Sequence, residues 1–377
     1  MWIPSLLDSF FMGGFECSTQ RRADGRRLDL LEATGHFRHA ASDYEAVRRN
    51  GMRTVRDGVR WHLIESSAGR YDLSTFLPML RAARVARMQP IWDLCHYGIP
   101  DHLDIWKPEF VDSFAAFARC IARVVRDCGD EVPFYCAVNE ISYWSWAGSD
   151  RGLMYPLGAG RGLELKHQLV RASIAAIEAV RDVDPRARFV TIDPLIHVVP
   201  NDDGDKEEVE AYLRAQHDGW LLLTGELWPG LGGHPSYLDI VGLNYYDENQ
   251  WWHLGPTIFR DEPQYVPLRT LLERMYQRHR RPMLLAETGA EGDRRAPWLR
   301  YVAGEVFAAL QADVPIEGIC LYPVLDYPGW NDDRHCATGL LGMADPEGSR
   351  PLHLPLAEEL ARQQAWFDEL TEVRDSA

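Results

Sequence analysis

The sequence has little of what membrane-bound and nucleic-acid-binding proteins need. Lysine and arginine number 40 against 56 acidic residues, which gives a net charge of −16. Because nucleic acid and anionic membranes attract clustered basic residues, this balance argues against both as partners and suits a neutral ligand better. No apolar run approaches the ~18 residues that a membrane-spanning helix requires.

Paired cysteines are also lacking. The chain has seven cysteines, an odd number, and no two of them form a CxxC pair. Several lie inside apolar strand-like runs, where a thiol behaves as a small apolar side chain. The opening residues show no basic leader and no small-residue cleavage site, as a secretory signal would. These features predict reduced thiols and a cytoplasmic protein, whereas nothing in the sequence indicates its oligomeric state.

No glycine fingerprint marks the phosphate site of a doubly wound nucleotide-binding sheet. Instead, eight strand-like runs alternate with eight helix-like runs, without an internal linker. This alternation predicts an α/β protein with one domain, residues 1–377, folded as a (β/α)8 TIM barrel. The predicted strands are residues 10–17, 52–61, 90–96, 133–140, 188–193, 238–246, 282–289 and 316–326. The predicted helices are residues 40–50, 74–88, 109–128, 163–183, 205–223, 268–280, 298–311 and 354–370.

Two of the predicted strands end on a glutamate. The apolar run PMLLAETG carries Glu287 at its exit, and the run PFYCAVNE ends on Asn139 and Glu140. The carboxyl ends of all strands in a parallel barrel converge on one rim. We therefore expect the two carboxylates to face each other across one pocket, although they are far apart in the chain. The aromatic and glycine-rich stretch that follows Glu140 is predicted to be a long functional loop.

Two facing carboxylates suit the cleavage of a glycosidic bond. One protonates the departing oxygen, and the other attacks the anomeric carbon or activates water. The acid must hold a proton near neutral pH, although a free glutamate titrates near ~4.3, and a neighbouring carboxylate raises its pKa. Arg56, if it reaches Glu287, would keep that residue ionised as the nucleophile. Alternatively, Glu140 and Glu287 are structural ion-pair partners of Arg56 or Arg60.

Segments on the second and third predicted strands resemble glycoside hydrolase family 1, the β-glucosidase family. Residues 51–61 are similar to the family's strand-two segment, with its arginine at Arg56. LCHYGIP, residues 94–100, is similar to its HW-x-x-P segment, with the sugar-binding histidine at His96. The resemblance implies a retaining barrel glycosidase whose acid/base follows strand four and whose nucleophile follows strand seven.

The resemblance extends to the candidate acids. Asn139 and Glu140 match the NE pair, which implies that Glu140 is the acid/base and that Asn139 bonds the sugar's 2-hydroxyl. Glu287 in AETG matches the nucleophile. GLNYY, at the end of the sixth strand, resembles the segment whose first tyrosine, here Tyr245, contacts the nucleophile. Asn244, just before it, is assigned to substrate binding.

The eighth strand departs from the family. LYPVLDYPGW is similar to the segment WSLLDNFEW, but the glutamate that grips the outer sugar hydroxyls falls on Gly329 and the opening tryptophan on Tyr322. Tyr322 and Trp330 stay candidate sugar contacts, since pyranose faces stack on aromatic rings. The loop NDDRHC, with Asp333, is expected to supply replacement polar groups and is more simply a polar loop than a metal site. Glu16 lies about where the family places a sugar-binding glutamine.

The predicted activity is hydrolysis of a β-glycosidic bond in a small or oligosaccharide glycoside, without cofactor or metal. One alternative keeps the same site but transfers the sugar to an acceptor other than water, which makes the protein a transglycosylase acting on a glycosylated metabolite. A second alternative is a catalytically weak, carbohydrate-binding barrel, supported by the missing carboxylate at Gly329.

Overall fold

Eight parallel strands, labelled β1 to β8 along the chain, close into a barrel in which each pairs with its sequence neighbour and β1 pairs with β8. The computed structural model describes residues 4–375, with side chains to residue 369. The predicted domain, residues 1–377, extends beyond these limits, and so do the opening residues that were considered as a secretory signal. The strands are Phe11–Gly14, Thr54–Gly58, Gln89–Cys95, Phe134–Val138, Arg188–Pro194, Ile240–Asn244, Met283–Thr288 and Ile316–Leu321. The predicted fold class is confirmed.

Helices surround the barrel and follow the strands in alternation. The longer ones are His36–Arg49, Leu77–Val85, Pro108–Cys128, Gly162–Arg181, Lys206–Ala215, Asp218–Thr224, Leu268–His279, Arg295–Gln311 and Leu354–Asp375. The single helix predicted for residues 205–223 is wrong, because the chain breaks it into two. The stretch after Glu140 is not a plain loop either: it begins with the helix Ile141–Ser145 and a π-helical turn, Trp146–Asp150.

Within the described residues, the loops contain three pairs of short strands that were not predicted. Two are antiparallel, Glu65–Ser67 with Arg70–Tyr71 and Tyr327–Pro328 with His335–Cys336. The third is parallel, His197–Val199 with Gln250–Trp252, and it joins the loops that follow β5 and β6. Strands of two or three residues are too short for a period of two to stand out in a sequence.

The alternation of side chains along each strand divides the core into two layers. On β7, Leu284 and Ala286 belong to the cluster inside the barrel, whereas Met283 and Leu285 belong to the cluster between barrel and helices. This is the two-residue period of a strand buried on both faces. The interior cluster fills the barrel below the carboxyl ends, so the open space lies above it at the rim.

Local irregularities at two strand ends place the two candidate acids. The pairing of β7 with β6 shifts register between Leu285 and Glu287, a bulge that resets the side-chain alternation at the point where Glu287 emerges. After β4, Glu140 has a positive φ of 46° and caps the following helix. Left-handed backbone at a residue other than glycine costs about 1–3 kcal/mol and concentrates at functional sites.

The seven cysteines carry free thiols, and most of them are buried. This agrees with the prediction of unpaired cysteines. Among the helices of residues 4–375, none has both the length and the apolar character that crossing a bilayer requires.

Candidate active site

A cavity of about 1260 Å³ opens at the carboxyl ends of the strands. The predicted site residues that line it are Glu16, His96, Glu140, Asn244, Glu287, Tyr322 and Trp330. Four other predicted site residues do not line it: Arg56, Asn139, Tyr245 and Asp333. Arg56 and Asn139 lie fully buried beneath its wall. The two glutamates predicted to share one pocket therefore do so.

Glu287 is held through both of its carboxylate oxygens. The Arg56 guanidinium donates to Oε1 at 2.6 Å, and the Tyr246 hydroxyl donates to Oε2 at 2.9 Å. Arg56 also donates to the carbonyl of Ala286 at the β7 bulge, at 3.4 Å. The same arginine thus fixes the strand irregularity and the side chain that it presents. Charge-assisted contacts of this kind favour the ionised carboxylate.

Glu140 receives only neutral donors. The Tyr97 hydroxyl donates to Oε2, and the Asn244 amide donates to Oε1 at 2.8 Å. Within the described residues no basic side chain lies within 4.0 Å of this carboxyl group. Burial, followed by the charge of Glu287, raises the pKa of Glu140 to about 8. Glu140 is therefore protonated at neutral pH.

The surroundings of the two glutamates assign them different protonation states. Burial raises the pKa of Glu287 as well, but the positive charge of Arg56 opposes that effect. Because Glu287 has a buried cation at 2.6 Å and Glu140 has none, a proton shared by the pair resides on Glu140. Two carboxyl groups in one cavity with separated pKa values are the arrangement that divides acid from nucleophile. The alternative of purely structural ion pairs fits only Glu287, because Arg60 pairs with Asp29 instead.

Asn139 links the two halves of the site without facing the cavity. Its Oδ1 accepts from Arg56 at 2.7 Å, and its Nδ2 donates to His96 Nε2 and to the Tyr97 hydroxyl, each at 3.0 Å. The side chain is enclosed and has no exposed surface. Protein groups occupy both amide atoms, so Asn139 does not face the cavity, and its contact with a sugar hydroxyl stays a prediction.

A buried cluster supports Arg56 and His96 from below. Asp93 accepts from Arg56 at both oxygens, at 3.0 and 2.6 Å, and the Nδ1 of His96 lies 2.9 Å from Asp93. The Asn139 amide donates to Nε2, so the proton on Nδ1 faces Asp93. Burial lowers the pKa of His96, but Asp93 outweighs it and the net direction is upward. Burial raises the pKa of Asp93, but Arg56 and His96 outweigh it and the net direction is downward.

Cys17, Asp93 and His96 could hold a metal ion by distance alone, since their ligand atoms lie within 4.8 Å of one another. Their chemistry fits a metal poorly. Both oxygens of Asp93 already accept from Arg56, and burial raises the pKa of the Cys17 thiol well above its ordinary value. A metal ligand must be a thiolate. The group is better described as hydrogen-bonded support for the site.

The tyrosine predicted to contact the nucleophile is displaced by one residue. Tyr246 reaches Glu287, whereas the Tyr245 hydroxyl accepts from Gln250 and bonds Tyr265, each at 2.8 Å. Tyr245 points away from the cavity and is fully buried. The prediction for Tyr245 is therefore wrong, because consecutive residues after β6 point to opposite sides and the family register was read one position early.

The loop after β8 also differs from expectation. Asp333 is half exposed and pairs with Arg22 and Arg26 outside the cavity wall, so its predicted substrate contact is wrong. Other polar groups of this loop are likewise occupied by protein, with Arg334 on Glu291 at 2.6 Å. The loop does keep Trp330 at the cavity, where its ring packs edge-on against Tyr97 with centroids 5.7 Å apart. Tyr322 also faces the cavity, and the Arg56 guanidinium packs against the Tyr322 ring from beneath.

Sequence reasoning missed three functional side chains. Tyr97 and Tyr246 each contact one of the two candidate acids, and Asp93 anchors Arg56. For Asp93 a signal existed, since an acid inside the apolar run PIWDLCH requires a buried cation. Tyr97 follows His96 with a positive φ of 64°. This backbone conformation is rare for tyrosine, so no signal in the sequence indicated that Tyr97 would turn toward Glu140.

The fold and the pair of unlike carboxylates on its rim define a barrel glycosidase. The chain belongs to glycosyl hydrolase family 1: residues 28–223, just over half of the 377, match that family's model. This confirms the resemblance seen in the sequence and supports a glycosidase. Among curated proteins, none matches significantly.

Solved structures share the fold at low identity. A hyperthermophilic β-glucosidase mutant superposes with a TM-score of 0.77 at 16% identity, covering 95% of this chain and 100% of that one. A family 1 β-glucosidase from Thermotoga maritima gives 0.76 at 18%, covering 97% and 98%. The Thermotoga maritima β-glucosidase in complex with glucoimidazole gives 0.75 at 18%, covering 95% and 98%.

Proposed function

We propose that the protein is a retaining glycosidase that cleaves the β-glycosidic bond of a small glycoside. The observation that carries the proposal is the asymmetry of the two acids, an arginine-paired Glu287 and a cation-free Glu140 in one cavity. The Thermotoga maritima β-glucosidase of the same fold forms a complex with glucoimidazole, which supports a sugar-sized ligand. One catalytic domain and a cytoplasmic location are part of the same proposal.

The reaction proceeds in two displacements. The ionised Glu287 attacks the anomeric carbon while Glu140 gives its proton to the departing oxygen, so that the aglycone leaves as a neutral alcohol and a glycosyl ester forms. Glu140, now ionised, takes a proton from water as the water oxygen attacks the same carbon. The ester breaks, Glu287 is released as a carboxylate, and Glu140 is again protonated. Two inversions give net retention.

The experiment compares Glu287→Ala and Glu140→Ala with Glu131→Gln, a variant outside the cavity whose native carboxylate is 78% exposed. With 2,4-dinitrophenyl β-D-glucoside, loss of Glu287 should abolish product. Loss of Glu140 should spare the first displacement, because that leaving group needs no protonation, and slow the second. Glu131→Gln should behave as the native protein does.

The anomer first released, followed by proton NMR, tests the stereochemistry. Release of the β-anomer agrees with double displacement, and release of the α-anomer contradicts it. Binding without turnover across a panel of aryl glycosides would instead favour the carbohydrate-binding barrel. Full turnover by Glu287→Ala would place the chemistry elsewhere.

The mouth of the cavity favours a second candidate, transfer to an alcohol. Leu163 and Leu254 line the cavity although 54% and 90% exposed, respectively. Apolar side chains at an open mouth suit an apolar aglycone or acceptor better than water alone. Product analysis with and without an acceptor such as 1-hexanol distinguishes the two reactions, since a transglycosylase forms hexyl glycoside in preference to free sugar.

A further inference from the structure

The cavity contains a third carboxylate that the proposed reaction does not use. Glu16 follows β1, lines the cavity and is 6% exposed. One of its oxygens, Oε1, accepts from the backbone N–H and the hydroxyl of Ser18. Its other oxygen accepts no hydrogen bond from any residue that the structure describes. A buried carboxylate that turns one oxygen toward a cavity can accept a hydrogen bond from a bound ligand.

Glu16 also has no positive partner. Three arginines in or beneath the cavity wall pair with other acids: Arg56 with Asp93 and Glu287, Arg294 with Asp247, and Arg334 with Glu291. Within the described residues no basic side chain lies within 4.0 Å of the Glu16 carboxyl group. Glu16 therefore has no ion-pair partner in this part of the chain.

The charge of Glu16 acts on the catalytic acids' neighbourhood. It contributes to raising the pKa of Glu287, after burial, and that of Tyr246. Glu140, by contrast, is influenced chiefly by burial and Glu287. The strand order agrees, because only β8 separates β1 from β7, which carries Glu287, whereas β2 and β3 separate β1 from β4. Glu16 therefore stands on the nucleophile's side of the cavity, where the sugar ring lies if Glu140 faces the leaving group.

We propose that Glu16 selects a glycone carrying a protonated amine, so that the substrate class is a β-glycoside of an amino sugar. An ammonium group would give Glu16 the ion-pair partner that it lacks among the described residues, and it donates to the oxygen of Glu16 that Ser18 leaves free. A neutral sugar offers only hydroxyl donors. This inference rests on the proposed function for its substrate but not for its binding preference.

The test uses methyl β-D-glucopyranoside and its 2-, 3-, 4- and 6-amino-deoxy counterparts as ligands in titration calorimetry at pH 6. At least one amine should bind the native protein about tenfold or more tightly than the parent. Glu16→Gln, which keeps an oxygen acceptor for Ser18, should abolish that preference. Glu131→Gln removes an exposed carboxylate that does not line the cavity and should keep it.

A comparison in the native protein alone keeps the test valid if Glu16→Gln fails to fold. Acetylation of the preferred amine removes its charge and should remove the preference. The inference is overturned if no amine is preferred, if the preference survives Glu16→Gln, or if the acetamide binds as tightly as the amine.

Turnover separates this inference from the proposed function. Aryl β-glycosides of glucose and of the preferred amino sugar are compared by kcat/KM. Hydrolysis without an amine preference leaves the glycosidase standing and removes the role of Glu16. An amine preference in binding, with no hydrolysis of either glycoside, supports the role of Glu16 and removes the glycosidase.

Discussion

Replacing Tyr246 by phenylalanine removes one of the two groups that hold Glu287, the hydroxyl at 2.9 Å from Oε2. Hydrogen bonds to charged groups contribute about 1.5–3 kcal/mol. If that bond is fully used in the transition state, its loss lowers kcat/KM roughly 10- to 150-fold. Arg56 remains on Oε1 at 2.6 Å, so the nucleophile should stay ionised and the activity should fall without vanishing.

The same variant should move the acid limb of the pH profile. The hydroxyl of Tyr246 donates to the carboxylate and so stabilises its ionised form. Without it the pKa of Glu287 rises, and since the nucleophile must be ionised, activity is lost at a higher pH than in the native protein. A bond of this strength corresponds to an upward movement of about one pH unit or more.

Tyr245→Phe is the matched control. Its hydroxyl bonds only Gln250 and Tyr265, so its removal should lower the free energy of unfolding by about 1 kcal/mol and leave the acid limb in place. The assay is kcat/KM for an aryl β-glycoside from pH 4 to 9, with thermal unfolding of each variant. An acid limb that moves in Tyr245→Phe and not in Tyr246→Phe would refute the assignment of the two tyrosines.

Two further predictions concern charge. The proton donor must be protonated and the pKa of Glu140 is about 8, so activity should fall as pH rises above that value. In Glu140→Gln the residual activity on a dinitrophenyl glycoside should no longer fall at high pH. Persistence of that fall would contradict the assignment. Arg56→Leu should lower the free energy of unfolding by about 3–5 kcal/mol at pH 7, measured in urea, because Asp93 and Glu287 lose a buried cation. Arg56 keeps the pKa of Asp93 low, so this stabilisation is present above the carboxyl's unfolded pKa of about 3.9 and lost as pH falls; an equal deficit at pH 7 and pH 3.5 would count against it.

The barrel and its acids were predictable because they rest on local patterns. A run such as PMLLAETG is apolar on both faces, bounded by proline and glycine, and ends on a charge, and each of these features acts within eight residues. The convergence of strand ends then follows from the parallel fold and not from the particular side chains. Glu140, Glu287 and the Arg56 contact were accessible for that reason.

The errors arose where one residue of register changes the outcome. Whether Tyr245 or Tyr246 faces the cavity depends on where β6 ends, and strand ends are set by pairing with neighbouring strands that the sequence does not display. Asp333 was predicted to contact substrate, but it forms ion pairs with Arg22 and Arg26, which are distant in the chain. The partners that enclose Asn139 were also hidden from the sequence, because Arg56 comes from one distant segment and His96 with Tyr97 from another.

The connection from Arg56 to Glu140 explains how one rim sustains two unlike acids. Arg56 touches Glu287 directly, but it reaches Glu140 only through the Asn139 amide and the Tyr97 hydroxyl. Both connecting groups are neutral, so they orient the Glu140 carboxyl group without bringing positive charge to it. The ionised state is thereby confined to the nucleophile, while the acid is held in place yet keeps its proton. A cation in the position of Tyr97 would ionise Glu140 and remove the proton that the leaving group needs.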